Sequence, residues 1–169
     1  VATLDPEHRA RLTITQQCRP EDLDEVRDAY AEIDQPAELA SYFNDMGARM
    51  EKAHLAITRA GASTIAELSA AGRPAILIPY PYATDDHQRA NAEALADAGG
   101  AWVSIEAETT EDSLAAMLVR LLDNPSALAD AAAKAHAFGI ADGAERLADL
   151  VEQAAGPRTG AAAAEGVAP

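Results

Sequence analysis

Cysteine, aromatic residues and long apolar runs are all scarce in this chain of 169 residues. The single cysteine, Cys18, cannot form an internal disulfide, which excludes a disulfide-stapled fold and fits a reducing cytoplasm. Aromatic residues make up 4% of the sequence, so Ala, Leu, Ile and Val must fill the core. No apolar run approaches the roughly 18 residues of a membrane-spanning helix, and the start of the sequence has no signal-peptide pattern.

Positive charge is also in short supply. The chain has 13 Lys and Arg residues against 28 Asp and Glu residues, which gives a net charge of −15. Such an acidic surface argues against nucleic acid and anionic membrane as broad partners, although it leaves room for a local basic site. The length and the 49% content of hydrophobic residues predict one globular domain with a real core.

A central segment, HLAITRAGASTIAELSAAGRPAILIPYPYATDDHQRANA, alternates strand and helix signals. Gly61 and the pair Gly72 and Pro74 break it, and Asp85 or Asp86 is a candidate cap for its last helix. The predicted order is a strand at His54–Thr58, a helix at Ser63–Ala71, a doubly buried strand at Pro74–Pro79, a loop at Tyr80–Asp86 and a helix from His87. Two strand-to-helix loops then lie side by side at the carboxyl ends of parallel strands, where open α/β sheets bind ligands.

The rest of the chain continues the alternation, which predicts a parallel sheet flanked by helices. Further strands are predicted at 12–17, 37–43 and 101–105, and further helices at 20–33, 46–53, 110–122, 126–138 and 144–155, with the end of a helix at 5–11 and Asn44 or Asp45 as the cap at 46. We expect one domain over 1–155 and a disordered tail over 156–169, because Gly156–Pro169 is low-complexity sequence of small residues.

Glu67 is the sharpest candidate for a functional side chain. It lies about one turn into the predicted helix after Gly61. A carboxylate there can accept hydrogen bonds from the two hydroxyls of a ribose. The spacing Thr64-x-x-Glu67 is also that of a capping box, so the residues alone leave both interpretations open.

The turn before Glu67 has the chemistry of an anion site. Gly61, Ala62, Ser63 and Thr64 form a small-residue helix start, whose free N–H groups and dipole suit a diphosphate. An ordinary strand-to-helix turn has the same appearance. Arg59 ends the preceding strand, where it could meet a phosphate or pair with a nearby carboxylate.

Polar residues open the next helix as well. His87, Gln88 and Asn91 share its first turn, where they could bind sugar hydroxyls or simply cap the helix. Phe43 and Met46 are apolar, so residue type alone favours a role in core packing for both. His8, His54 and His136 are isolated, and no spacing in the sequence resembles a metal cage.

Three motifs, TRAGASTIAEL, GRPAILIPYP and DDHQRANA, resemble the sugar-nucleotide-binding half of the MurG family. The resemblance implies a Rossmann-like α/β domain, the C-terminal half of a GT-B glycosyltransferase. It implies that the protein moves N-acetylglucosamine from UDP onto a lipid-linked muramoyl-pentapeptide in peptidoglycan synthesis, with inversion at the anomeric carbon. UDP-GlcNAc is then a substrate, and no cofactor or metal is implied.

The same resemblance assigns roles to residues. Glu67 would hold the ribose, the backbone around Ala62–Thr64 the diphosphate and sugar, and the backbone near Phe43 the uracil. Gln88 matches a family position that reads the sugar, whereas His87 replaces a Gln seen in some members. The implied substrate-binding set is Phe43, Met46, Arg59, Gly61, Ala62, Ser63, Thr64, Ile65, Ala66, Glu67, His87, Gln88 and Asn91.

Parts of the family pattern have no match in this sequence. The glycine-rich first strand of the domain and the whole N-terminal domain are missing, and with them the expected acceptor site, general base and membrane contact. We therefore expect a fragment, subunit or truncated product that is inactive alone, from an enzyme at the cytoplasmic face of the inner membrane. The alternatives are the soluble subunit of a two-component N-acetylglucosaminyltransferase, a nucleotide-sugar epimerase fragment, or an inactive remnant.

Overall fold

Strands and helices alternate along residues 1–139, which are the residues that the computed structural model describes. The predicted helix at 144–155 and the predicted tail at 156–169 lie outside the described residues. The strands are β1 (Ile14–Gln17), β2 (Ala37–Ala40), β3 (Ala56–Thr58), β4 (Ala75–Leu77) and β5 (Ala101–Val103). The helices are α1 (Pro6–Ala10), α2 (Leu23–Glu32), α3 (Met46–Lys52), α4 (Ala62–Ala70), α5 (His87–Asp97), α6 (Glu111–Leu122) and α7 (Pro125–Phe138).

All of the strand pairs are parallel, as predicted, but the strands form two sheets. β1 pairs with β2, with Ile14 opposite Ala37. The second sheet has the order β3-β4-β5, with Ala75 opposite both Ala56 and Ala101. Within residues 1–139, β4 is therefore the one strand with hydrogen-bonded neighbours on both sides. The sequence pattern predicts strands but not which strand lies beside which, so it did not predict the division.

β4 is the centre of the core, and its three residues are fully buried. Ala75 and Leu77 pack in a cluster with Leu68 of α4, Leu95 of α5 and Ala135 of α7. Ile76 points to the opposite face, into a cluster with residues of α6. This confirms the prediction of a strand buried on both faces. Burying each large side chain of this kind stabilises the fold by about 1.5–3 kcal/mol.

Gly100 shows how closely α7 approaches the second sheet. A Cβ atom at this position would lie 2.8 Å from the Cα of Ala135 and 2.8 Å from Cδ1 of Leu95. These distances are shorter than real Cβ contacts, and one of the two atoms belongs to the backbone. The absence of a side chain at Gly100 is therefore what lets α7 pack against the start of β5.

Several predicted boundaries need correction. Residues 5–11 are not the end of a longer helix, because α1 begins at Pro6 and the Asp5 side chain accepts a cap hydrogen bond from the His8 N–H at 3.0 Å. β2 ends at Ala40 and does not reach Phe43, because its partner β1 ends at Gln17, opposite Ala40. The other strands are also shorter than the segments predicted for them.

The second sheet positions the candidate site. Because β3, β4 and β5 are parallel, their last residues, Thr58, Leu77 and Val103, lie at one edge. The loops that carry Arg59, Tyr80 and Glu106 follow at that edge. None of the helices in residues 1–139 is long and apolar enough to span a membrane.

Candidate functional site

The start of α4 follows β3 after a turn of three residues. Gly61 occupies the N-cap position with extended backbone angles and makes no side-chain cap bond. The first bond of the helix runs from the Ile65 N–H to the Gly61 carbonyl at 3.0 Å. The N–H groups of Ala62, Ser63 and Thr64 precede that bond, so they have no partner within the helix and carry its positive dipole end.

Glu67 does not cap this helix. Because α4 begins at Ala62, Thr64 is already inside the helix and cannot be the N-cap of a capping box. The capping interpretation of the Thr64-x-x-Glu67 spacing is therefore wrong. The carboxylate is exposed, and within residues 1–139 its side chain makes no hydrogen bond or ion pair. Ile65 is buried and Ala66 is exposed, so Glu67 continues the exposed side of the helix.

Arg59 pairs with a carboxylate, which is one of the two roles that its position predicts. Its guanidinium bonds to Glu106 and donates to the carbonyls of Ile78 at 3.3 Å and Pro79 at 3.4 Å. It also lies 5.5 Å from the centre of the Tyr80 ring. The hydrogen bond from Arg59 lowers the pKa of Glu106. Arg59 thus joins the ends of β3 and β4 to the turn after β5.

Gln88 and Asn91 meet the Gly61 turn directly. The Gln88 Oε1 accepts from the Ala60 N–H at 3.2 Å and from the Tyr80 N–H at 3.0 Å. The Asn91 Nδ2 donates to the Ala60 carbonyl at 3.1 Å. His87 lies apart from this contact, since its ring Nδ1 bonds to the Thr84 carbonyl at 2.6 Å and its side chain is exposed.

The predicted aspartate caps are absent. Asp85 and Asp86 precede α5 with left-handed backbone angles, φ 52° and 53°, and the helix has no side-chain cap. Asp45 occupies the N-cap position of α3, but its carboxylate accepts from Arg49 Nε at 2.7 Å instead of capping. Arg49 also bonds to Glu38, and the pKa values of both carboxyl groups are lowered by these hydrogen bonds.

Phe43 lies beside that arginine, shortly before the start of α3. Phe43 is 7% exposed, and the Arg49 guanidinium lies 4.0 Å from its ring centre. Met46 begins α3 and is half-buried. The Phe43 side chain is therefore packed in the interior, as expected for an apolar residue. No hydrogen bond within residues 1–139 links this segment to Gly61 or to α5.

Sequence reasoning missed Glu106 and Tyr80. Tyr80 follows β4 and Glu106 follows β5, and both strands end at the same edge as β3. Their positions directly after predicted strands could have identified them as candidates. The structure has a cavity of about 270 Å³ against β1 and α2, and one of about 360 Å³ near Pro6 and Pro36. Neither cavity is lined by a residue of the predicted set. Residues 1–139 contain no cluster of His, Cys, Asp and Glu that could hold a metal.

The comparison with known families decides the relationship. Residues 1–147 match the glycosyltransferase family 28 C-terminal domain. The chain belongs to this family. The structure is similar to that of MurG from Acinetobacter baumannii, with a TM-score of 0.79 and 30% identity over 88% of this chain and 46% of that one. The fold is thus the Rossmann-like C-terminal half of a GT-B glycosyltransferase, as predicted.

Two curated relatives of this family-28 domain share a name, UDP-N-acetylglucosamine–N-acetylmuramyl-(pentapeptide) pyrophosphoryl-undecaprenol N-acetylglucosamine transferase. The protein from Rhodospirillum centenum is 55% identical over 156 residues, and the one from Rhodospirillum rubrum is 50% identical over 158 residues. These matches cover 92% and 94% of this chain but 41% of each relative. The chain therefore spans about two-fifths of the length of the curated relatives it matches.

Proposed function

We propose that this chain is the donor-binding part of an inverting glycosyltransferase that transfers N-acetylglucosamine from UDP-GlcNAc to a lipid-linked muramoyl-pentapeptide in peptidoglycan synthesis. One observation carries the proposal. Within residues 1–139, a helix start whose first N–H groups have no helical partner and the carboxylate of Glu67, which forms no ion pair there, follow β3 at the edge where parallel sheets bind nucleotides. The names of the relatives, all transferases, support the transfer reaction over the epimerase alternative.

The helix start suits the diphosphate of the donor. The chain carries a net charge of −15, and the guanidinium of Arg59 is already paired with Glu106. A dianionic ligand therefore has to rely on the N–H groups of Ala62–Thr64 and on the dipole of α4. In the proposed reaction an acceptor hydroxyl attacks the anomeric carbon and the bond to the β-phosphate oxygen breaks. The same N–H groups then stabilise the charge left on the departing UDP.

The remaining donor groups lie around this helix. Glu67 accepts hydrogen bonds from the ribose hydroxyls, and the backbone of the segment from Phe43 to Met46 pairs with the uracil. Gln88 and Asn91 each have one amide atom, Nε2 and Oδ1, that forms no hydrogen bond within residues 1–139, and we assign these atoms to the hydroxyls of the sugar. His87, whose side chain is exposed, is the third residue that we assign to the sugar. UDP-GlcNAc is a substrate in this scheme, and we assign no cofactor.

The acceptor half of the reaction lies in the part of the relatives that this chain does not match. The general base, the lipid-linked acceptor site and the peripheral contact with the cytoplasmic face of the inner membrane belong to that part. We therefore expect the chain alone to bind donor and to transfer no sugar. Incubation of the purified chain with UDP-GlcNAc and a lipid-linked acceptor measures this, and transfer without a partner protein would contradict the division of roles.

Calorimetric titration with nucleotides tests the donor site. We expect UDP and UDP-GlcNAc to bind the chain at least about tenfold more tightly than GDP or ADP, which is about 1.4 kcal/mol. The three diphosphates share the same anionic group, so GDP and ADP control for binding at the helix start alone. Equal affinity for UDP, GDP and ADP would remove the uracil assignment, and no binding of UDP would remove the proposed function.

A further inference from the structure

One side-chain atom joins the two loops of the candidate site. The Gln88 Oε1 accepts the Ala60 N–H from the loop after β3 and the Tyr80 N–H from the loop after β4. An amide oxygen has two lone pairs, so both are in use. One turn further along α5, the Asn91 Nδ2 donates to the Ala60 carbonyl. Both backbone groups of Ala60 are thus bonded by side chains of α5.

Backbone pairing cannot supply these bonds. The last ladder bond between β3 and β4 in this region runs from the Ile78 N–H to the Thr58 carbonyl at 2.9 Å. Beyond it the two strands lead into different loops. Ala60 is nevertheless fully buried, where an unpaired N–H or carbonyl is strongly disfavoured. Gln88 and Asn91 replace the ladder at the point where it ends.

Ala60 directly precedes Gly61, the N-cap of α4. A fixed Ala60 therefore fixes where the free N–H groups of α4 begin. We propose that Gln88 and Asn91 are positioning residues that hold the Gly61 turn in place for the diphosphate. This role acts on UDP itself, before any contact with the sugar, and it rests on the proposed function.

Binding of UDP, UDP-GlcNAc and uridine distinguishes this positioning role from direct recognition of the sugar. The substitution Gln88→Met keeps a similar length and removes the accepting oxygen. For Gln88→Met we expect the affinity for UDP to fall roughly tenfold or more, and the affinity for UDP-GlcNAc to fall by at least the same factor, because the substitution also removes the Nε2 assigned to the sugar. Uridine lacks the diphosphate, so its affinity should stay within about twofold, as followed by NMR titration.

Asn91→Ala is a milder second variant, because it leaves one carbonyl unpaired and no N–H. It should show the same pattern with a smaller loss. Glu93→Gln is the matched control, since Glu93 lies on the same helix and pairs with Arg89 on the surface. All three affinities should be unchanged in the control. Amide hydrogen exchange adds a readout without ligand: the Ala60 and Tyr80 amides should exchange faster in Gln88→Met than in wild type.

The outcomes are distinct. A loss confined to UDP-GlcNAc would overturn the inference and leave the proposed function intact, because Gln88 would then read the sugar alone. A lower melting temperature with all three affinities unchanged would also overturn it. Unchanged exchange at Ala60 and Tyr80 would mean that the contact does not hold the turn. Failure of the wild-type chain to bind UDP would overturn the proposed function together with the inference.

Discussion

The exposed carboxylate of Glu67 offers the sharpest test of the donor site. Glu67→Gln keeps the size of the side chain and removes its charge. The carboxylate neither caps α4 nor bonds to another side chain in residues 1–139. An exposed substitution without such contacts changes the free energy of unfolding by about 0.5 kcal/mol or less. We therefore expect the melting temperature of the variant to be close to that of wild type.

The effect on binding should be much larger. A hydrogen bond to a charged group contributes about 1.5–3 kcal/mol. Loss of the charge that the ribose hydroxyls bind therefore weakens UDP binding roughly tenfold to over a hundredfold. The analogue 2′-deoxy-UDP lacks one of the two hydroxyls, so its affinity should be lower in wild type and should fall less on substitution.

Calorimetry with UDP and 2′-deoxy-UDP, beside thermal unfolding, measures all of these quantities. Glu32→Gln is the matched control, because Glu32 ends α2, is exposed and forms no ion pair within the described residues. Its affinities should match those of wild type, which excludes a general effect of one charge. If Glu67→Gln binds both nucleotides like wild type, or loses the same factor for both, Glu67 does not hold the ribose.

Three further predictions concern the fold. Leu68→Ala removes a fully buried side chain from the main core and should lower the free energy of unfolding by about 2–5 kcal/mol in urea; a loss below about 1 kcal/mol would contradict the packing. Gly100→Ala should cost about 1–3 kcal/mol in the same assay, since its Cβ would meet the backbone of α7, and a neutral result would mean that α7 lies further away. Hydrogen bonds to Asp5 and Asp123 raise the pKa of His8, so protonated His8 stabilises the fold below its unfolded pKa of 6.5, and this contribution is lost as pH rises through the higher folded pKa. His8→Gln should therefore lower the melting temperature more at about pH 6 than at about pH 9, and an equal shift at both values would refute this.

The sequence predicts what depends on local pattern. The order of strands and helices, the turn at Gly61 and the double burial of β4 follow from apolar runs and breakers, and the structure confirms them. The position of Gln88 and Asn91 on one helical turn was also predicted. Their bonds to Ala60 were not, because Gln88 lies 28 positions from Ala60 and no local pattern specifies such a contact.

The failed predictions of helix caps depend on contacts and backbone angles that residue type alone does not specify. Asp45 is a good capping residue by type, but Arg49 lies one turn away and takes its carboxylate. The carboxylate that pairs with Arg59 could not be identified from the sequence either, because Glu106 lies 47 positions further along the chain. Asp85 and Asp86 adopt left-handed angles, so they end the loop through their backbone and not through a cap. Charge partners and strand neighbours are set by the tertiary fold.

The division of the strands into two sheets limits what can bind along their edges. Within residues 1–139, β1 and β3 each present one row of backbone N–H and C=O groups that no neighbouring strand uses. Ile57 on β3 is 45% exposed, although it lies opposite the fully buried Ile76. A strand joined to β1 or β3 by a tight turn would run antiparallel to it. β1 and β3 are each already paired in parallel, with β2 and β4. A further strand that pairs with β1 or β3 in parallel has to run in the same direction as they do. Its first residue therefore lies at the amino ends of the strands, as in strand-crossover-strand units. Exposed strand edges of this kind are, in general, sites at which chains can pair with one another at high concentration.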